Sequence, residues 1–271
     1  MDRTAMRIDP ATPVVILCGG EGTRFQEESQ YRPKPLAEIG GWPILCHIME
    51  IYARHGLRRF ILCLGYKGDV IRDYFLNYEA RNLDFTVTLG QRSAIEYHGN
   101  VHAEDGWKIT LAETGEETMT GARIKRAARY LEGNTFAATY GDGVCDVDLT
   151  KLLSFHRGHG GLATVTGVRP PSRFGELRAD GTHVTAFSEK PQTGTGLING
   201  GFFLFERGFL EYLSEDEGCI LERAPLEKAA ADKRLHVYEH AGYWQCMDTY
   251  RDWEHLERAW ASGRAPWQNW G

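Results

Sequence analysis

Apolar residues in this chain fall into short blocks separated by glycine, proline and charge. Val14-Val15-Ile16-Leu17 is a continuous apolar run, mostly β-branched, and predicts a strand buried on both faces. Ile44 to His55 carries apolar residues at 44, 45, 48, 51 and 52, the helical period, with Pro43 at its start and Gly56 as its stop. Phe60 to Leu64 reads as a second buried strand, Asp69 to Tyr78 as a second amphipathic helix, and Phe85 to Leu89 as a third strand. Alternating strands and helices predict a parallel sheet with covering helices. Residues 90 to 112 are polar, with a strand expected over Trp107 to Leu111.

Further along, Thr120 is placed to cap a helix carrying Arg123, Lys125, Arg126 and Arg129. Strands are expected over Thr135 to Tyr140, Leu162 to Val168, Val184 to Phe187, Phe202 to Phe205 and Leu235 to Tyr238. Asp148 should cap a helix running through His159. A weak helix is expected near 206–213, another over Pro225 to Lys233, and a last one over Thr249 to Ser262 with Trp253, Leu256 and Trp260 on one face.

Composition narrows the class. The chain has 271 residues, 42% hydrophobic and 25% charged, which is globular composition. A net charge of −6 argues against bulk nucleic-acid or anionic-membrane partners. No apolar run approaches a membrane span. Met1 to Pro13 is polar and reads as a flexible extension rather than a signal peptide, with 14–271 as a single domain. None of the six cysteines forms a C-x-x-C pair, so buried free thiols in a reducing cytoplasm are expected rather than a zinc site.

Candidate chemistry begins where the first apolar run ends. Gly19, Gly20 and Gly22 leave a backbone that can lie close to a ligand and aim N–H groups at phosphate. Arg24 adds a fork of donors and Lys34, between Pro33 and Pro35, a point charge. The spacing is neither G-x-x-x-x-G-K-[ST] nor G-x-G-x-x-G, which weighs against a dinucleotide-dependent oxidoreductase. Taken alone, the loop also fits a tight turn beside a surface arginine.

Each other candidate has an ordinary alternative. Asp142, between Gly141 and Gly143 at a strand end, suits Mg²⁺ but also an Asx-type turn. Asn199 suits a sugar hydroxyl or a turn before glycine. By themselves, Asp248 fits a helix cap, Lys190 a surface turn, and the arginines after Thr120 a solvated helix face.

The order G-G-x-G-T-R, followed by Lys34 between two prolines, resembles the signature of the sugar-1-phosphate nucleotidyltransferases. Cys18 and Phe25 stand where Ala and Leu are usual. The resemblance runs from Val14 to about Trp267. It is nearest to the glucose-1-phosphate cytidylyltransferases, through KPLAEIGGWPILCHIMEIYARHG, LGYKGDVIRDYF, TGARIKR, YGDGV, EKP, INGGFF and GYWQCMDT.

That resemblance implies an α/β fold of the nucleotide-diphospho-sugar transferase type: a Rossmann-like, mostly parallel mixed sheet sandwiched by helices, with short β insertions. CTP and glucose 1-phosphate are the implied substrates, Mg²⁺ the cofactor, and CDP-glucose and pyrophosphate the products. Arg24, Lys34 and Lys190 are the implied catalytic cations. The nucleotide would lie against Leu17, Cys18, Gly19, Gly20, Glu21, Gly22 and Thr23, with Thr118, Gly121, Arg123 and Gly141 opposite. Gly121 and Arg123 would reach the base and phosphates. The sugar phosphate would meet Glu189, Lys190, Asn199, Gly200 and Trp244, and Asp142 and Asp248 would hold the metal. A soluble cytoplasmic homo-oligomer is expected, with no nucleic-acid or membrane partner. Two readings remain beside it: a relative using another sugar, UTP or dTTP, and a catalytically inactive nucleotide sensor.

Overall fold

The computed structural model describes residues 9–22, 32–90, 94–99, 106–169, 176–180, 182–188 and 196–268. Its first half runs β1 (Pro13–Leu17), β2 (Glu38–Ile39), β3 (Trp42–Pro43), α1 (Ile44–Arg54), β4 (Arg59–Leu64), α2 (Gly68–Leu76), α3 (Tyr78–Asn82), β5 (Asp84–Val87), β6 (Ile95–His98), β7 (Lys108–Glu113) and α4 (Thr120–Ala127). There follow β8 (Thr135–Tyr140), β9 (Gly143–Cys145), α5 (Leu149–His159), β10 (Ala163–Val168), β11 (Glu176–Asp180), β12 (His183–Ser188) and β13 (Ile198–Asn199). The last elements are β14 (Phe203–Glu206), α6 (Ala224–Ala231), β15 (Leu235–His240), β16 (Trp244–Cys246) and α7 (Tyr250–Ala261).

The main sheet has the order β13-β10-β14-β8-β1-β4-β7, with β15 also paired to β10. β8, β1, β4 and β7 run parallel to one another; β14 is antiparallel to β8 and β10, and β13 to β10. β1 is central and buried on both faces, because each face carries its own core. Val14 and Ile16 pack with α1, α5 and α7, through Leu45, Ile48, Leu152 and Leu256. Val15 packs with Ile124 of α4, Ala229 of α6 and Phe209 of the 3₁₀ turn Arg207–Tyr212. A helix layer on each side of a mostly parallel sheet is thus the observed fold, as the strand–helix alternation predicts. No helix among the described residues is long and apolar enough to cross a membrane.

One strand assignment is corrected. Phe85 to Leu89 does not join the parallel sheet: β5 pairs antiparallel with β6 in a separate hairpin, and Phe85 and Val87 are exposed. The third parallel strand is β7, beside β4. The run Phe-Thr-Val-Thr-Leu alternates apolar and polar residues, a pattern a projecting hairpin accommodates as well as a sheet does.

A cap is corrected as well. The N-cap of α4 is Met119, which makes no side-chain cap bond, and Thr120 is the first helical residue. Its hydroxyl turns to Glu222, a partner 102 residues away that local spacing cannot reveal. Asp148 does cap α5, accepting from Thr150 N and Lys151 N. None of the six cysteines, all among the described residues, is in a disulfide; four are buried, and Cys219 and Cys246 are half-buried.

Candidate active site

The carboxyl ends of β1 and β8 lie side by side, with Leu17 paired to Tyr140. The loop Cys18–Gly22 leaves one strand and Gly141-Asp142 leaves the other. Gly141 N donates to Leu17 O at 3.0 Å, and a Cβ on Gly141 would sit 2.9 Å from that oxygen, so the two loops can touch only through a glycine. Between them opens a cavity of about 230 Å³. Its walls include Leu17, Cys18, Gly19, Gly20, Gly22, Lys34, Thr118, Arg123, Gly141 and Asp142, all expected from the sequence, together with Pro35, Met119, Thr120 and Tyr140.

Lys34 lies at the start of a 3₁₀ turn, Lys34–Leu36, and is 9% exposed. Its Nζ donates to Asp142 Oδ2 at 2.7 Å and to Asp248 Oδ1 at 2.8 Å. Burial pulls its pKa down, but Asp142 and then Asp248 outweigh burial, and the net shift is upward. The ammonium therefore stays charged at neutral pH.

Asp248 reaches this point through two local devices. β16 pairs with β9, setting Cys246 opposite Gly143, and Met247 N donates to Asp142 O at 2.8 Å. The next residue, Thr249, forms a capping box with Asp252, so α7 is capped without Asp248. The alternative that Asp248 is merely a helix cap is thereby removed. Asp146 steadies the approach: its Oδ1 accepts from Tyr243 N at 2.7 Å and lies 2.8 Å from His240 Nε2, fixing the turn that leads into β16. Two hard oxygen donors converging on one cationic position fit a divalent metal of the magnesium type.

Arg123 lines the cavity, and its guanidinium also ties strand ends together. Nη1 donates to Leu64 O, Thr114 Oγ1 and Gly115 O at 2.9, 2.9 and 2.7 Å. Nη2 donates to Gly19 O and Glu116 O, both at 3.0 Å. Those terminal donors are spent on the scaffold, so no base or phosphate contact is drawn from them. Gly121 does not line the cavity. It packs against Cys219–Leu221, where a Cβ would meet Cys219 Sγ at 2.8 Å, and its N–H is bonded to Cys219 O. Nor is the rest of α4 a solvated basic face. Lys125 donates to Leu210 O, and Arg126 to Thr114 O, Thr118 Oγ1 and Glu215 O. Burial pushes the Cys18 thiol well above its ordinary range, which keeps it protonated at neutral pH despite its place in the loop.

The expected sugar side is a bonded wall. Asn199 Nδ2 donates to Tyr140 Oη at 2.9 Å and its Oδ1 accepts from Gly201 N at 2.9 Å. Trp244 Nε1 donates to Gly200 O at 2.8 Å. The exposed Glu21 lies on the Cys18–Gly22 loop. Thr23, Arg24, Glu189 and Lys190 lie outside the described residues. The sequence reading missed Tyr140 and Glu222. Tyr140, at the end of a strand that runs into Gly-Asp-Gly, was findable; Glu222 sits in irregular chain with no local signal.

Residues 13–251 match the family model described as nucleotidyl transferase. The chain is 44% identical over 257 residues to a glucose-1-phosphate cytidylyltransferase of Salmonella typhi, covering 94% of this chain and 98% of that one. It is 43% identical over 256 residues to a probable glucose-1-phosphate cytidylyltransferase of Bacillus subtilis, covering 94% and 99%. Among solved structures it is similar to HddC from Yersinia pseudotuberculosis complexed with GMP-PN, with a TM-score of 0.66, 27% identity, and 92% and 99% coverage.

Proposed function

The chain belongs to the nucleotidyl transferase family, and we propose that it transfers the cytidylyl group of CTP to α-D-glucose 1-phosphate, giving CDP-glucose and pyrophosphate. The observation that carries this reading is the meeting of Lys34, Asp142 and Asp248 beside the Gly19–Gly22 loop, at the sheet end where α/β folds bind ligands. The choice of CTP and glucose 1-phosphate is supported by the relatives that share 43–44% of their residues with this chain.

A phosphate oxygen of the sugar phosphate attacks the α-phosphorus of the nucleotide. A new P–O bond forms there as the bond from that phosphorus to the bridging oxygen breaks, and pyrophosphate leaves with the bond's electron pair. Because the attacking oxygen is already anionic, no covalent enzyme intermediate is needed. The protein's task is to hold two polyanions together in line. Two like charges about 4 Å apart repel by roughly 4 kcal/mol at an effective dielectric near 20. Cations placed at the phosphates remove that barrier. Lys34 and Arg24 serve the triphosphate, and Lys190 the sugar phosphate. Mg²⁺, held by Asp142 and Asp248, would supply charge neutralisation at the phosphate oxygens. Arg123 shapes the cavity that receives the nucleotide. Asn199, Gly200 and Trp244 form the wall against which the sugar lies.

Pyrophosphate release measured over a panel of nucleoside triphosphates and sugar 1-phosphates tests the reading. CTP with glucose 1-phosphate should give the highest kcat/KM. A better rate with UTP or dTTP would replace the nucleotide while keeping the reaction class. No turnover with any pair would favour the inactive-sensor reading.

A further inference from the structure

We propose that Glu222 is a positioning residue that sets base preference by fixing the direction of the Thr120 hydroxyl. The inference rests on the CTP reading above and deepens it.

Glu222 lies in irregular chain just before α6, yet its carboxylate joins two cavity-lining residues from other elements. Oε1 accepts from the Tyr140 hydroxyl at 2.5 Å, and Oε2 from the Thr120 hydroxyl at 2.7 Å. An ionised carboxylate only accepts, so both hydroxyls must point their hydrogens at it. The rest of the network agrees with that direction. Tyr140 Oη accepts from Asn199 Nδ2 at 2.9 Å, which leaves its hydrogen for Glu222. Thr120 Oγ1 accepts from Leu221 N at 2.9 Å.

The Thr120 hydroxyl is therefore committed on two sides. Its hydrogen goes to Glu222, and one lone pair takes the Leu221 N–H. What remains is one lone pair, on a residue that lines the cavity with Gly19, Gly20, Thr118 and Met119. A free hydroxyl could donate or accept and so would serve any pyrimidine. This one can only accept. Cytosine presents an exocyclic amino donor where uracil and thymine present a carbonyl. An acceptor fixed in direction therefore pairs with cytosine and faces another acceptor when UTP or dTTP enters. Glutamine at 222 would offer one acceptor and one donor, and one of the two hydroxyls would have to turn its hydrogen elsewhere.

The test compares kcat/KM for CTP and UTP, with glucose 1-phosphate, in the wild type, Glu222→Gln and Thr120→Val. The wild type should prefer CTP by about tenfold or more, and both variants should shrink that preference to about threefold or less. If Glu222 only braces the fold, both nucleotides will lose kcat/KM in parallel and the ratio will stand, which overturns the proposal. Should Glu222→Gln fail to fold, as judged by circular dichroism, Thr120→Val decides the question by the same ratio. A wild type that does not prefer CTP overturns the cytidylyl reading and this inference with it. A CTP-preferring wild type whose variants keep the ratio overturns this inference alone.

Discussion

Gly19 and Arg123 are fitted to each other. The Gly19 carbonyl accepts from Arg123 Nη2 at 3.0 Å, and a Cβ on Gly19 would lie 2.2 Å from Nη1. The loop can turn where it does only because nothing projects from residue 19, and the guanidinium holds that turn against the ends of β4 and β7. Replacing Gly19 by Ala should push the strut and the loop apart. Nucleotide kcat/KM is expected to fall at least about tenfold, roughly 1.4 kcal/mol, with a smaller change in unfolding midpoint. An unchanged kcat/KM would mean that the loop does not form the nucleotide wall.

Arg123→Lys should act on the fold itself. One ammonium cannot reach the carbonyls of Gly19, Leu64, Gly115 and Glu116 together. Leaving two of them unpaired costs about 1–3 kcal/mol each, so a stability loss of about 3 kcal/mol is expected in urea unfolding. A loss below about 0.5 kcal/mol, the scale of an ordinary surface substitution, with activity abolished, would instead make Arg123 a ligand contact.

The two aspartates yield a prediction about chemistry at nearly constant shape. Asp142→Asn and Asp248→Asn each remove a charge from the position where the carboxylates meet Lys34. Each should lower kcat/KM by at least about a hundredfold, near 2.7 kcal/mol, while near-UV circular dichroism stays native. Wild-type turnover in either variant, at ordinary magnesium, would remove that residue from the site.

What the sequence made legible was local. The buried run of β1, the Asp148 cap and the Gly-Asp-Gly turn each depend on neighbours within a few residues, and each appears where its pattern sets it. What stayed hidden depends on long-range pairing. Lys34 meets partners 108 and 214 residues away, and Thr120 one 102 away. The basic stretch after Thr120 looks like a solvated face in one dimension. It becomes a set of struts only when β7 and the Arg207–Tyr212 turn bring carbonyls to it. Phe85–Leu89 misled for the opposite reason, since an alternating pattern does not say which sheet a strand joins.

A buried histidine yields a pH prediction. His47, 1% exposed, has Nε2 2.9 Å from Ile39 O and Nδ1 3.4 Å from the donating Trp267 Nε1. One ring nitrogen must donate and the other accept, which is the neutral tautomer. Burial, against the pull of backbone bonds, brings its pKa down to about 4. Because the folded value lies below the unfolded one of about 6.5, the folded state resists protonation. Above pH 6.5 this site exacts no loss. As pH falls toward 4 the unfolded chain takes up the proton first, and stability drops by about 1.4 kcal/mol per unit, to a total near 3 kcal/mol. Urea unfolding at several pH values should show a shallower acid slope for His47→Gln than for the wild type. Equal slopes would place the proton uptake at another site.

The division of labour between two lysines is the remaining prediction. Lys34 lies between the Gly22 loop and the two aspartates and lines the same cavity as Gly19 and Gly20, the proposed nucleotide side. Lys190, in Glu-Lys-Pro, is proposed by resemblance to serve the sugar phosphate. Each variant should leave one phosphate group without its cation, a loss of roughly 1.5–3 kcal/mol for a charged hydrogen bond. Lys34→Met should therefore raise the KM for CTP by about tenfold or more while moving that for glucose 1-phosphate little, and Lys190→Ala should do the reverse. Lys34→Met keeps the length of the stem, so the hydrophobic contacts beside Gly22 persist and the change reports on charge. Lys34→Arg should recover less than a simple count of charge suggests, because a planar fork cannot sit between two carboxylates as a compact ammonium does. Initial rates with both substrates varied would measure both constants in each variant. If the two variants raise both constants alike, the lysines share one phosphate cluster, and the separation into nucleotide and sugar sides is wrong.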